Sequence, residues 1–272
     1  MIYSIVIVQN DDVKEEIIND DEGITLIGQC AYRSELDSET IRKPALRIIS
    51  ALSFASDLAT EQIKDNDLLL AHIRDLERRS NDQRLIAAQL IWKIEKEAEF
   101  ISKHEDRPKR RTKQKIVENE WDESKAIYQY VRGDYRFKST SSKLGHKFDI
   151  ALSFDQQDRK IADDILKYLQ SETDFTISYG KIFPEERAAS VESSTVVVLC
   201  LSSNYRRSYS CRLEAEYTKK RSKAIIPVTI EGNYEPSGWL NNVIGEEKPL
   251  KSYYKELLDK ICEIFNEIDN EY

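Results

Sequence analysis

Two carboxylates, Glu214 and Glu216, stand in the run Ser210-Cys-Arg-Leu-Glu-Ala-Glu-Tyr-Thr-Lys-Lys-Arg-Ser222. A carboxylate held beside a reacting sugar can stabilise an oxocarbenium-like transition state or grip the ribose hydroxyls. Two residues apart on a helix is about 200° apart, so only one of the pair can face a given pocket. Spacing alone reads Glu214 as one more solvated charge, because Arg212, Lys219 and Lys220 share its helix. The other reactive side chains are scattered. Cys30, Cys200, Cys211 and Cys262 form no CxxC, and His72, His104 and His146 form no cluster with them. No metal site is therefore expected, and free thiols are the default in a reducing compartment. Neither GxGxxG nor a P-loop occurs, which argues against other nucleotide-binding families.

The elements that must position these residues alternate. Phe148–Phe154 reads as a strand and Asp158–Ser171 as a helix whose buried stripe is Ile161, Ile165, Leu166 and Leu169. Residues 175–179 read as a short strand, and Ser194–Leu201 as a continuous apolar strand. Ser210–Ser222 reads as a helix, Ala224–Ile230 as a strand and Tyr253–Asn266 as a terminal helix. This alternation predicts an α/β, flavodoxin-like parallel sheet with helices on both faces. Ligands of such sheets sit beyond the strand C-termini. The expected functional rim is thus Ser153–Gln157 and Ser202–Arg207.

Residues 38–103 carry helical periodicity instead. Ile41, Ala45, Ile48, Ile49 and Leu52 make one stripe; Leu68, Leu69, Ile73 and Leu76 a second; Leu85, Ala88, Ile91, Trp92 and Ile94 a third. Ser38 and Asp67 are the expected N-caps, and 79–82 a loop. A weak internal repeat lays Glu16–Ile27 over Glu61–Ile73, and the helix from Ile41 over that from Arg84, at an armadillo- or HEAT-like period. Two readings stay open, a pair of armadillo-like repeats or a small helical bundle. Ile2–Val8 is either a strand or the last helix of a truncated repeat, and the short array suggests a fragment of a longer repeat protein. Between the halves, Arg107-Pro-Lys-Arg-Arg-Thr-Lys-Gln-Lys115 is basic, read as a solvated hinge or as an import or docking signal. Residues 118–137 suit a short amphipathic helix. The expected organisation is 1–103 helical, 104–146 linker and 147–266 α/β.

With 272 residues, 33% charged, 40% hydrophobic and a net charge of −8, the chain has the composition of a soluble protein with room for two modest domains. The acidic balance argues against general nucleic-acid binding. No apolar run approaches the roughly 18 residues of a membrane span. The opening residues lack a basic stretch and a cleavage site, so a cytoplasmic protein is expected.

The order and wording of Lys147–Phe265 resemble a TIR domain, above all Ser208-Tyr-Ser-Cys-Arg-Leu-Glu-Ala-Glu-Tyr217, Ile225-Ile-Pro227 and Gly238-Trp-Leu240. With helices in front, the plan is similar to invertebrate proteins in which armadillo-like repeats precede a TIR domain. It is also similar to the animal axon-degeneration type of TIR NADase, without the SAM domains that intervene there. The resemblance implies signalling or innate defence, TIR–TIR self-association or pairing with other TIR proteins, and a homo-oligomer when active. It leaves two functions open: NAD cleavage at the nicotinamide–ribose bond, with NAD as substrate and no cofactor, or a non-catalytic adaptor. Catalytic members carry an essential glutamate on the helix after the third core strand, which plant enzymes show in a Cys-Leu-x-Glu pattern. Cys211-Arg-Leu-Glu214 has that spacing, so the resemblance makes Glu214 the catalytic position and Glu216 its competitor. It places Ser153, Phe154, Asp155 and Cys211 against the substrate. Asp155-Gln156 departs from the basic residues of the animal enzyme. The acidic–aromatic stretch and assembly loop of the family are reduced here to Tyr179-Gly-Lys-Ile-Phe-Pro-Glu-Glu-Arg187, with Tyr179 or Phe183 as stand-ins for the missing aromatic.

Overall fold

The computed structural model describes residues 11–20, 22–79, 82–104 and 147–271. Among them, the residues before 105 together with Ile182–Glu185 form one compact unit, and the rest form a second. Ile2–Val8, the basic run 107–115 and the stretch 118–137 lie outside the described residues.

The first unit is all-helical: α1 (Asp11–Asn19), α2 (Gly23–Tyr32), α3 (Lys43–Ala55), α4 (Asp57–Lys64), α5 (Asp67–Arg78), α6 (Arg84–Ile91) and α7 (Glu97–Lys103). A π turn, Ser38–Arg42, leads into α3, and another, Trp92–Lys96, joins α6 to α7. The internal repeat has a packing counterpart. Laid over one another, Ile18 falls on Ile63, Ile24 on Leu69 and Ala31 on Leu76, and all six are buried in one core. Gly28 permits close approach there, since a Cβ on it would lie 3.0 Å from Leu69 Cδ2.

Three details differ from the sequence reading. Asp37, not Ser38, caps the π turn by accepting from Thr40 N at 2.7 Å. Asn66, not Asp67, caps α5 by accepting from Leu69 N at 3.1 Å. In both places two capping residue types stand side by side, and the one that takes the cap leaves the other in the first turn. Ile41 and Leu68, each read with an apolar stripe, are exposed, and Leu70 is buried in the place of Leu68.

His72 on α5 is half-buried, and burial, with Arg42 adding to it, lowers its pKa below the ordinary value of about 6.5; Asp75 opposes and Arg79 reinforces the shift. The unfolded chain therefore takes up this proton first as pH falls. The stabilising contribution is complete above about pH 6.5 and is lost as pH drops through the folded-state pKa. Protection of the α5 amides, that is exchange relative to the unstructured-chain rate at each pH, is expected to fall between pH 7 and 5, and His72→Gln to flatten that dependence.

The second unit is a four-stranded, wholly parallel sheet of β1 (Phe148–Ser153), β2 (Ile177–Ser178), β3 (Ser194–Leu201) and β4 (Ala224–Thr229), in the order β2-β1-β3-β4. Its helices are α8 (Arg159–Glu172), α9 (Pro184–Glu192), α10 (Ser203–Arg207), α11 (Tyr209–Lys220), α12 (Trp239–Ile244) and α13 (Lys255–Glu271). Every residue of β3 is buried, as a central strand between two layers requires. Ile150, Leu152, Val196, Val198, Ile226 and Val228 face α8 and α13 across one core. The alternate residues face α9 and α11, where Ser178 is bonded to Ser190 at 2.7 Å and Ser153 to Glu214 at 2.6 Å.

Both margins of the sheet are short or covered. β2 has two residues, and β4 is flanked by Leu250, whose N donates to Pro227 O at 2.9 Å while its O accepts from Thr229 N at 2.8 Å. The segment 179–187, read as one shortened loop, is a loop only to Phe183. Pro184 then opens α9, a position where its missing N–H is not needed.

Candidate functional site

Strand order reverses between β1 and β3, because β2 lies on one side of β1 and β3 on the other. Open α/β sheets bind ligands at such a switch point, outside the strand C-termini. Ser153 is the last residue of β1 and is 1% exposed. The side chain of Ser202, just after β3, caps α10 by accepting from Tyr205 N at 2.9 Å and donates to Asp158 Oδ2 at 2.5 Å. Ser208 caps α11, which fixes where the first turn of that helix begins and so where Glu214 points.

Glu214 is 4% exposed, on the inner face of α11. Its Oε2 accepts from Ser153 Oγ at 2.6 Å and from Arg187 Nη1 at 2.6 Å. Tyr205 hydroxyl lies 2.8 Å from the same Ser153 Oγ. Ser153 has one hydroxyl proton and directs it to the carboxylate, so Tyr205 must be the donor to Ser153. Burial, reinforced by Cys211 and Glu214, raises the Tyr205 pKa far above its ordinary value and keeps that proton in place. The result is a short relay, Tyr205 to Ser153 to Glu214, ending on a carboxylate that also faces a buried guanidinium. Burial opposes the charge on Arg187, but Glu214, Cys211 and Tyr205 together outweigh it and the pKa is raised.

Beside this pair lies a cavity of about 10 Å³, barely room for one water. Phe154 and Tyr179, with rings stacked 4.8 Å apart, line it together with Glu214 and Arg187. Tyr179 is held by a hydrogen bond to Asp163 and by Arg159 over its ring, 5.9 Å from the centroid. Gly180 follows with φ of +72°, which suits a residue without a Cβ.

The predicted site residues thus divide. Phe154 and Glu214 line the cavity, Ser153 is joined to it only through its bond to Glu214, and of the two aromatic candidates Tyr179 lies in the lining. Asp155 caps the turn Gln156–Asp158, accepting from Gln157 N at 3.0 Å. Cys211 is fully buried one turn before Glu214. Glu216, the competitor, points away and pairs with Arg212 at 2.7 Å. Arg187 was not foreseen, although a signal exists: Pro184, Arg187, Ala188 and Val191 follow helical spacing, and a lone charge inside such a stripe asks for a buried partner.

Burial pushes the Cys211 thiol up to about 12, and that of Cys262 likewise up to about 12. At pH 8 only about one in ten thousand such thiols is a thiolate. Cys30 is part-exposed, whereas Cys200 and Cys211 are buried. Alkylation of the native chain at pH 8, followed by peptide mass spectrometry, is expected to reach Cys30 first and Cys200 and Cys211 only on unfolding.

Residues 150–250, which hold this sheet and carboxylate, match the family described as the TIR domain. This part of the chain is a TIR domain. No curated protein and no solved structure matches the chain. Among the described residues no group of three His, Cys, Asp or Glu side chains could hold a metal ion, and no helix is long and apolar enough to cross a membrane. At its cavity the TIR domain presents the buried Glu214 carboxylate, the hydroxyls of Ser153 and Tyr205 linked to it, and the rings of Phe154 and Tyr179.

Proposed function

We propose that this chain is a signalling or innate-defence protein whose TIR domain cleaves NAD at the nicotinamide–ribose bond, with Glu214 as the carboxylate that meets the developing positive charge. One observation carries the reading: Glu214 is buried at the switch point of a parallel sheet, oriented by Ser153 and facing an aromatic wall. The C–N bond between ribose C1′ and nicotinamide breaks, and its electron pair leaves with the ring, which becomes neutral. The oxocarbenium character left at C1′ is stabilised by the Glu214 carboxylate. Water adds to C1′ and releases one proton, giving ADP-ribose. Nicotinamide is cationic in the substrate and leaves without protonation, so a single carboxylate suffices. Ser153, itself bonded to Tyr205, orients that carboxylate.

A second reading has its own support. The Arg187–Glu214 ion pair is buried on both sides, 5% exposed each, as a purely structural pair would be. On this reading the TIR domain is an adaptor that assembles with other TIR domains, and the helical unit, read as armadillo-like, is a second docking surface. Both readings expect self-association. NAD loss and nicotinamide release, measured on the purified full chain at high concentration with a crowding agent, separate them. Turnover supports the enzyme. Folded, associated protein without turnover supports the adaptor.

A further inference from the structure

The cavity beside Glu214 is too small for any part of a dinucleotide, and a charged side chain in its lining is paired to that carboxylate. Arg187 is 4% exposed, places Nη1 on Glu214 Oε2 at 2.6 Å and lines the cavity. Its Nε has no hydrogen-bond partner. A buried unmet donor is costly, and Arg187 carries one. Its guanidinium lies on the Glu214 carboxylate and shares the cavity lining with the stacked pair Phe154 and Tyr179.

We infer that Arg187 is a built-in plug: its guanidinium occupies the position that a planar cationic group of the ligand, such as an N-alkylated pyridinium, takes on Glu214. The inference rests on the reading of Glu214 as the carboxylate that meets the substrate's positive charge. A planar cation and the Arg187 head compete for one carboxylate, so the ligand enters only when Arg187 withdraws. The site then selects by charge as well as shape. A cationic pyridinium can replace the guanidinium on Glu214, while a neutral ring of the same outline would leave that buried carboxylate without a counter-charge. Arg187 sits at the middle of α9, which follows directly on the loop after Tyr179, so a change in that loop is the natural way to draw the plug.

The test uses the full chain and two small probes that need no turnover. Arg187→Ala empties the slot. Methylguanidinium and 1-methylnicotinamide, at millimolar concentrations, are expected to raise the melting temperature of R187A saturably. Neutral nicotinamide is expected to bind at least tenfold more weakly. Wild type should show neither effect, and R187A/E214Q should lose both. NAD loss per folded molecule is expected to rise at least tenfold in R187A and to be suppressed by methylguanidinium. If R187A does not fold, Arg187→Gln decides: it removes the charge and shortens the head while keeping a polar side chain beside Glu214, and the same cation preference should appear. A folded variant that binds no cation, or binds charged and neutral rings alike, overturns the plug. Cation binding without NAD loss leaves the plug standing and removes NAD cleavage instead.

Discussion

Glu214→Gln is expected to lower NAD cleavage at least about a hundredfold, the scale of losing one aligned electrostatic group at a reaction centre. Gln keeps the shape of the side chain and an acceptor for Ser153 Oγ and Arg187, but it too removes the counter-charge of the buried guanidinium, so melting should fall. Turnover is therefore read per folded molecule, with circular dichroism as the measure of folding. Glu214→Ala removes the acceptor as well as the charge. It strips the counter-charge from Arg187, which is buried, and the cost of breaking such a pair is about 3–5 kcal/mol. Loss of activity in the alanine variant alone would therefore not separate chemistry from folding. Replacing both partners, in R187L/E214L, is expected to recover most of that stability, because two apolar side chains avoid the desolvation of the charges. Urea unfolding of the three variants checks this. Full activity in E214Q, or activity lost only in Glu216→Gln, would move the catalytic role away from Glu214.

Glu192→Ala is expected to be as destabilising, about 3–5 kcal/mol, with no loss of turnover per folded molecule. Glu192 is 1% exposed at the end of α9, where its Oε1 faces Arg221 Nε at 2.5 Å and accepts from Tyr217 hydroxyl at 2.7 Å. Arg221 follows α11, so the contact ties the C-terminal ends of the two helices that carry Arg187 and Glu214. Removing it weakens the fold without touching the cavity. A variant whose specific activity fell in step with E214Q would show that the two ion pairs act as one unit.

Much of the sheet was legible from residue order. β3 is an eight-residue apolar run, and burial on both faces leaves it no other reading. β2 was overextended, because the edge strand pairs through only two residues and the rest of 175–179 resembles a strand in composition. Glu214 was legible only through its likeness to TIR domains. Its spacing alone gives a charged helix, and the burial that separates it from Glu216 comes from Ser153 and Tyr205, which are 61 and 9 residues away. Arg187 was hidden for a related reason. Pro-Glu-Glu-Arg reads as polar loop, and the buried stripe of α9 becomes visible only once Glu214 is seen to face it.

The margins of the sheet bear on how copies of this domain can join. A strand of two residues offers an incoming backbone almost no ladder, and on the far side the chain at Leu250 has taken Pro227 O and Thr229 N of β4. Growth by adding strand to strand is hindered at both edges. Whatever dimer or filament the domain builds must then be glued by side chains of its helices and loops, many of them charged. Such an assembly would dissolve in salt, answer to single surface substitutions and come apart readily, unlike a fibril locked by its backbone.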